Sequence, residues 1–195
     1  GELKYAVRRQ EETIYYKRLR MANPEMSRFK DLILYNLEAG EAVLTDNNDI
    51  RVYTDGKEKF RALIEEMKQA KRYIHMQYYI IRNDELWQEV EKVLIQKARE
   101  GVEVRVLFDS MGCRTMKNRD WERLEKEGIQ VAEFFPALLG QLQLRVNYRN
   151  HRKIVVIDGR VGFVGGFNVG REYLGRDKKF GYWRDTHLCI EGAAV

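Results

Sequence analysis

NHRKIVVIDGRVGFVGGFN, residues 150–168, is the stretch from which the rest of the chain can be read. Residues 153–157 are β-branched after Lys153 and end at Asp158-Gly159, and Arg160 to Val164 is apolar again, the pattern of a hairpin closed by a tight Asp-Gly turn. Side chains alternate along a strand with period two, so His151 and Lys153 share one face of the first strand. Asp158 falls on the opposite parity and in the turn. Spacing therefore pairs His151 with Lys153 and leaves two roles open for Asp158, fixing the turn or touching a substrate.

The pair has a chemical use. A neutral imidazole is a competent nucleophile near pH 7, and attack on phosphorus divides one hard transfer into two easier ones through a phosphohistidine. Lys153 would hold a non-bridging phosphate oxygen as a point charge. Gly165-Gly166 lets backbone approach a phosphate closely, and Asn168 can donate to the same oxygens. None of these roles calls for a metal or a cofactor.

Working upstream, residues 136–146, PALLGQLQLRV, place Leu138, Leu139, Leu142 and Leu144 directly before the hairpin. A loop reaching buried strands accounts for them, and so does a hydrophobic lip that admits acyl chains. Arg145, Arg149, Arg152 and Arg160 surround Lys153 in sequence, which favours a phosphate-bearing substrate. Further upstream, helical and strand patterns alternate. Thr54 or Asp55 caps a helix with Phe60, Leu63, Ile64 and Met67 on one face, and Tyr73–Ile81 is a strand. Asn83 or Asp84 caps a helix carrying Leu86, Trp87, Val90, Val93 and Leu94, and Val102–Phe108 alternates as a strand. Asp120–Glu127 is helical, and Ile129–Phe135 is a strand again. Such alternation specifies an α/β fold, a mixed β-sheet flanked by helices. On the strand at 73–81, His75, Gln77 and Tyr79 share a face. Asp109 stands at the C-terminal end of the next strand, where functional side chains of α/β folds collect, and capping of the turn there accounts for it equally well.

The spacing H-x-K-x4-D-x6-G-G-x-N, matched at His151, Lys153, Asp158, Gly165, Gly166 and Asn168, resembles the signature of the phospholipase D superfamily. Within it the chain resembles the first catalytic half of bacterial cardiolipin synthases. YTDGKEKF at 53–60, YIHMQYYII at 73–81 and WRDTHLCIEG at 183–192 carry the same likeness, which runs from about Ala22 to the last residue. The resemblance implies His151, Lys153 and Asp158 as catalytic residues and Gly165, Gly166 and Asn168 as the phosphate cradle. It also implies a downstream carboxylate that orients the histidine, for which Asp185 is the candidate, its alternative being a salt bridge with Arg184 or Arg171. His75, Tyr79 and Asp109 become pocket candidates. The implied reaction joins two phosphatidylglycerol molecules into cardiolipin with loss of glycerol, without cofactor or metal. The implied partners are phosphatidylglycerol, an anionic membrane surface and a second motif-bearing half or an identical subunit.

Two alternatives stay beside it: a homodimeric nuclease or phosphodiesterase of the same superfamily, and a non-catalytic lipid-binding module. The leucines and the basic arm favour lipid over nucleic acid. The sequence holds one copy of the motif, and the expectation is a fragment of a longer bacterial membrane enzyme, anchored by a segment absent here.

Length and composition fit this. One domain of 195 residues buries roughly 70% of its unfolded surface. Cys113 and Cys189, without a Cys/His cluster, argue against a disulfide framework or a structural zinc. No apolar run reaches the 18 or so residues of a membrane span. The net charge is +5, and residues 1–30 hold eight Lys/Arg against four Glu. The division expected is a basic arm and helix at 1–48, with a helix opened by Pro24, followed by the α/β domain at 49–195.

Overall fold

The computed structural model describes residues 4–5, 7–10, 24–45, 47–134 and 149–195. The chain divides into two compact units, Gly1–Asn48 with Ala194, and Asp49–Ala193 with Val195. In the first unit, a 3-10 turn at Pro24–Phe29 leads into helix α1, Lys30–Gly40. Its buried Ile33 and Leu37 pack with Val7, and Met26, Leu34, Val43 and Leu44 lie around them.

The second unit is built on one sheet. Its strands are β1 (Asn48–Asp55), β2 (Tyr73–Tyr78), β3 (Glu103–Asp109), β4 (Gln130–Phe134), β5 (Ile154–Ile157), β6 (Val161–Gly165) and β7 (Arg184–Gly192). They lie in the order β1-β7-β6-β5-β2-β3-β4. β2, β3 and β4 are parallel, while β5 is antiparallel to both β2 and β6, and β6 is antiparallel to β7. The mixed sheet expected from the alternating pattern is the one observed.

Three helices fill the connections: α2 (Gly56–Gln69), α3 (Glu85–Arg99) and α4 (Asn118–Lys126). Each start has a cause in sequence. Asp55 accepts from the N–H groups of Lys57 and Glu58, and Asp84 from those of Leu86 and Trp87, satisfying amides that no helical carbonyl can reach. Helix α4 begins with the Lys117 N–H donating to the Asp120 carboxylate at 2.9 Å and the Asp120 N–H donating to the Lys117 carbonyl at 2.8 Å. Parallel crossovers are right-handed, so connections stepping in one direction along the sheet place their helices on one face. The core forms there: Phe60, Leu63 and Met67 of α2 and Trp87, Val90 and Leu94 of α3 meet Ile74, Met76, Val104, Val106, Val155, Ile157 and Phe163 of the sheet.

The strand directions bring six ends to one edge. The C-terminal ends of β2, β3, β4 and β6 and the N-terminal ends of β5 and β7 all lie there, because β5 and β7 run against the other four. Every residue of the candidate site except Asp158 and His75 comes from this edge.

Candidate active site

His151 is exposed and lies just before β5, and Lys153, three residues' length into the sheet's inner face, is buried. The Lys153 ammonium donates to His151 Nδ1 at 2.8 Å and to the His151 carbonyl at 2.6 Å, and lies 3.3 Å from Nε2. The pairing that parity predicts is present. Burial and the neighbouring Lys153 charge push the His151 pKa below its ordinary value, against a smaller opposing pull from Asp109. The imidazole is therefore neutral at pH 7, the form that can attack. Burial also pushes Lys153 down, to about 8, with Asp185 acting in the opposite direction.

Tyr79 lies against the pair, with its ring centroid 4.5 Å from that of His151 and 5.3 Å from the Lys153 nitrogen. Its place is instructive. The sequence pattern predicts a strand to Ile81, on which His75 and Tyr79 would share a face, but β2 stops at Tyr78. Beyond that point alternation no longer holds, and Tyr79 turns towards His151. His75 stays in the strand and on the opposite face of the sheet. It contacts Glu103 at 2.7 Å and stacks on Tyr73, and with Gln77, Arg105 and Ile154 it lines a cleft on that face, apart from His151.

Asp109 acts on the site through the backbone. Fully buried at the end of β3, it accepts from the N–H groups of Met111 (2.9 Å), Gly112 (3.3 Å) and Asn150 (3.1 Å), with Arg149 at 4.0 Å. Gln77 donates to the Asn150 side chain at 2.6 Å. The residue preceding His151 is thus tied to both β2 and β3. Asp109 holds the backbone that leads into His151.

Asp158 is not near the pair. It sits in the turn after β5 with φ 58°, and its carboxylate accepts from the N–H groups of Lys71 (2.8 Å), Arg72 (2.8 Å) and Tyr73 (2.9 Å). A strand rises about 3.3 Å per residue, so seven residues place it roughly 20 Å from His151, at the opposite end of β5. Of the two roles left open by spacing, the structure places Asp158 in the turn, away from His151. Arg160 belongs to that same far end, paired with Glu66 at 2.7 Å and Glu191 at 3.1 Å. Leu138, Leu139, Leu142, Leu144 and Arg145 lie outside the described residues.

Strand β7 explains the two glycines. A Cβ on Gly165 would stand 2.5 Å from both the Cα of His187 and the carbonyl oxygen of Thr186, and one on Gly166 would stand 1.9 Å from an Asp185 carboxylate oxygen. The first methyl would collide with the backbone of β7 and the second with the Asp185 side chain. Gly165 therefore lets β7 pack close, and Gly166 leaves room for Asp185. Asp185 accepts from the Thr186 N–H at 2.7 Å. It stands in the field of Lys153 and makes no hydrogen bond to His151. Asn168 is buried and engaged at both ends of its amide, accepting from the Ile80 N–H at 3.0 Å and donating to the Tyr173 hydroxyl at 2.9 Å. It ties the segment after β2 to the 3-10 turn at Arg171–Leu174.

A buried polar group beneath the pair had not been expected. Lys59 of α2 is wholly enclosed and donates to the Tyr78 hydroxyl at 2.7 Å. His187 is also fully buried, stacked on Phe167, with neither ring nitrogen hydrogen-bonded. Burial, then the charges of Lys59 and Lys153, push His187 to about 2, so it carries no proton at neutral pH. Burial alone pushes Lys59 well below the usual lysine range. One sequence signal marks Lys59: it stands at i, with Leu63 and Met67 at i+4 and i+8, in phase with the apolar stripe.

Among the described residues no group of three or more His, Cys, Asp or Glu is placed to hold a metal ion, and no helix is long and apolar enough to cross a membrane. Cys113 and Cys189 are free and buried.

The sequence profile described as "Cardiolipin synthase, PLD-like domain" matches residues 63–181, well over half of the chain. The chain belongs to that family. A curated cardiolipin synthase from Oceanobacillus iheyensis is 51% identical over 172 residues, 88% of this chain and 36% of the relative. The major cardiolipin synthase of Bacillus subtilis is 52% identical over 166 residues, 85% and 34% respectively. The chain thus spans about a third of the length of the curated relatives it matches. Among solved structures, the phosphatidylserine synthase of Haemophilus influenzae superposes with a TM-score of 0.58 at 20% identity, over 74% of this chain and 33% of that one. Nuc from Salmonella typhimurium, a phospholipase D family member, superposes with a TM-score of 0.53 at 17% identity, over 76% and 86%. At these identities the two share the fold, the mixed sheet of the PLD-like domain.

Proposed function

We propose that this PLD-like domain is one catalytic half of a cardiolipin synthase, joining two phosphatidylglycerol molecules, with residues 49–195 as the catalytic half and residues 1–48 as an arm. The observation that carries the reading is the exposed, neutral His151 imidazole held 2.8 Å from the Lys153 ammonium. The cardiolipin synthases at 51% and 52% identity supply the substrate class.

In the first step a ring nitrogen of His151 bonds to the phosphorus of one phosphatidylglycerol. The bond from phosphorus to the terminal glycerol oxygen breaks, and glycerol leaves after taking a proton from a general acid. In the second step the primary hydroxyl of another phosphatidylglycerol attacks the phosphohistidine and gives up its proton to the same group. Phosphorus is transferred between oxygens of equal kind, and the imidazole is restored. Lys153 turns from His151 to a non-bridging oxygen and holds the charge that grows there.

Neither of the other two histidines is placed to donate that proton. His75 faces the other side of the sheet, and His187 is buried, neutral and without contact to solvent. A second motif-bearing half, from the same full-length protein or an identical subunit, fits that need. An anionic bilayer as the working surface, in a bacterial membrane, follows from the substrate.

The test is His151→Ala in the full-length protein with phosphatidylglycerol vesicles. Turnover is expected to vanish, and the parent enzyme is expected to trap an acid-labile phosphoryl-histidine from labelled substrate and to keep its rate in EDTA. Turnover surviving in His151→Ala refutes the nucleophile.

A further inference from the structure

The segment between the 3-10 turn and β7 reads REYLGRDKKFGYWR, residues 171–184, and holds five cations (Arg171, Arg176, Lys178, Lys179 and Arg184) against Glu172 and Asp177. Its aromatic residues are the unusual part. Phe180 is 51% and Tyr182 67% exposed, although large apolar rings are normally buried where a core is at hand. The fold builds the loop so that they stay outside. Asp177 turns inward, its carboxylate accepting from the Lys179 N–H at 2.9 Å and its carbonyl from the Gly181 N–H at 2.9 Å, and Gly181 has φ 62°. That tight turn leaves Lys178, Lys179, Phe180 and Tyr182 at its tip, all exposed.

The tip is tied to the active site by a chain of contacts. Asn168 of the motif donates to the Tyr173 hydroxyl, the Tyr173 ring meets Trp183 edge-on at 5.2 Å, and Trp183 meets Phe180 at 5.6 Å. Because β7 runs parallel to β5, the loop leaves the sheet at the same edge as His151. Gly165 donates to the Lys153 carbonyl at 3.3 Å and pairs with His187, and the loop begins only a few residues beyond that row.

We propose that residues 176–182 form a membrane-seating rim: Phe180 and Tyr182 enter the headgroup region of a bilayer, and Arg176, Lys178 and Lys179 meet its anionic headgroups. The inference rests on the proposed phospholipid substrate and adds the surface by which the site reaches it. Aromatic residues with an apolar body favour the membrane–water boundary, and each Lys or Arg near an anionic leaflet contributes on the order of a tenfold gain or less in partition, so charge and apolar surface act together. The rim sets the edge that carries His151 against the headgroup layer, where a lipid phosphate lies.

The rim is tested in the full-length protein with a nitroxide on Tyr182→Cys, reconstituted with vesicles holding 30% phosphatidylglycerol or only phosphatidylcholine. Anionic vesicles are expected to raise the label's collision rate with oxygen and lower that with a water-soluble nickel chelate, while a label on Glu122→Cys in exposed α4 keeps its aqueous values. A label at 182 that stays aqueous with anionic vesicles overturns the proposal, as does one shielded equally by single-stranded nucleic acid. In parallel, Phe180→Ser/Tyr182→Ser is expected to lower turnover on vesicles at least tenfold and to stay within twofold of the parent on monomeric short-chain phosphatidylglycerol. Equal losses on both substrates also overturn it. If the parent turns over neither substrate, the synthase reading fails, while the label at 182 still decides whether the loop enters a bilayer.

Discussion

Replacing Asp158 separates a catalytic motif residue from a structural one. Its carboxylate accepts three backbone N–H groups at 2.8, 2.8 and 2.9 Å, those of Lys71, Arg72 and Tyr73, and fastens the turn after β5 to the entry of β2. Hydrogen bonds to a charged acceptor contribute about 1.5–3 kcal/mol each when shielded and less when water can replace the partner. Only the Tyr73 bond is partly buried, so it takes the larger figure, and the two exposed ones contribute about 0.5 kcal/mol each. Alanine also fits φ 58° less well than aspartate, at about 1 kcal/mol. Asp158→Ala should therefore cost about 3.5–5 kcal/mol. Asp158→Asn keeps one oxygen for Arg72 and Tyr73 and should cost about 1–2 kcal/mol.

Urea denaturation followed by tryptophan fluorescence measures the loss, and turnover is assayed at 20 °C, where each variant remains folded. The folded variants should turn over within a few-fold of the parent, since the carboxylate lies about 20 Å from His151 by strand length. The pH dependence adds a second check. The three N–H groups hold the Asp158 pKa below its ordinary value against the opposing effect of burial. A carboxyl whose folded pKa is depressed stabilises the fold above its unfolded pKa and loses that contribution as pH falls through the folded one. The gap between parent and Asp158→Ala should accordingly narrow below pH 4. An Asp158→Ala protein with an unchanged urea midpoint and a turnover as low as that of His151→Ala would refute the structural assignment.

Other sites give sharp outcomes too. Gly166→Ala drives a methyl into Asp185, and it should lower the urea midpoint by the equivalent of about 2 kcal/mol and turnover by tenfold or more. Adding Asp185→Ala should restore much of the stability and little of the turnover, and a double variant no more stable than Gly166→Ala would show that the collision is not the cause. Turnover against pH should rise through a pKa below 6.5 as His151 loses its proton, and fall near 8 as Lys153 loses its own. Lys153→Arg, charged throughout this range, should retain a reduced rate without the alkaline fall; a fall that stays near 8 assigns it to another group.

How much of this was legible in the sequence follows from which interactions are local. Helix starts at Asp55 and Asp84 were readable because a cap is made within three residues. The hairpin and the His151–Lys153 pair were readable because alternation is a property of one strand. His75 and Tyr79 were placed on one face by the same rule, and it failed at Tyr78, where pairing with β3 and β5 ends and the chain turns. No residue within 73–81 announces that end, since Tyr and Ile extend a strand pattern as readily as they leave it.

The motif itself divides in the same way. Its first half, His151 and Lys153, makes its side-chain hydrogen bonds within two residues. Asp158 contacts residues 85 to 87 positions away, Asn168 reaches one 88 away, and the glycines answer the backbone of β7 and the Asp185 side chain. A spacing pattern records that these residues occur together without recording what each one meets. Here the fixed spacing from His151 to Asn168 is the length of a hairpin and its exit, with Asp158 fastening the far turn and Gly165, Gly166 and Asn168 clearing and bracing the near end. The spaced string therefore holds one imidazole and one ammonium at a sheet edge, with its other members bracing the hairpin that carries them.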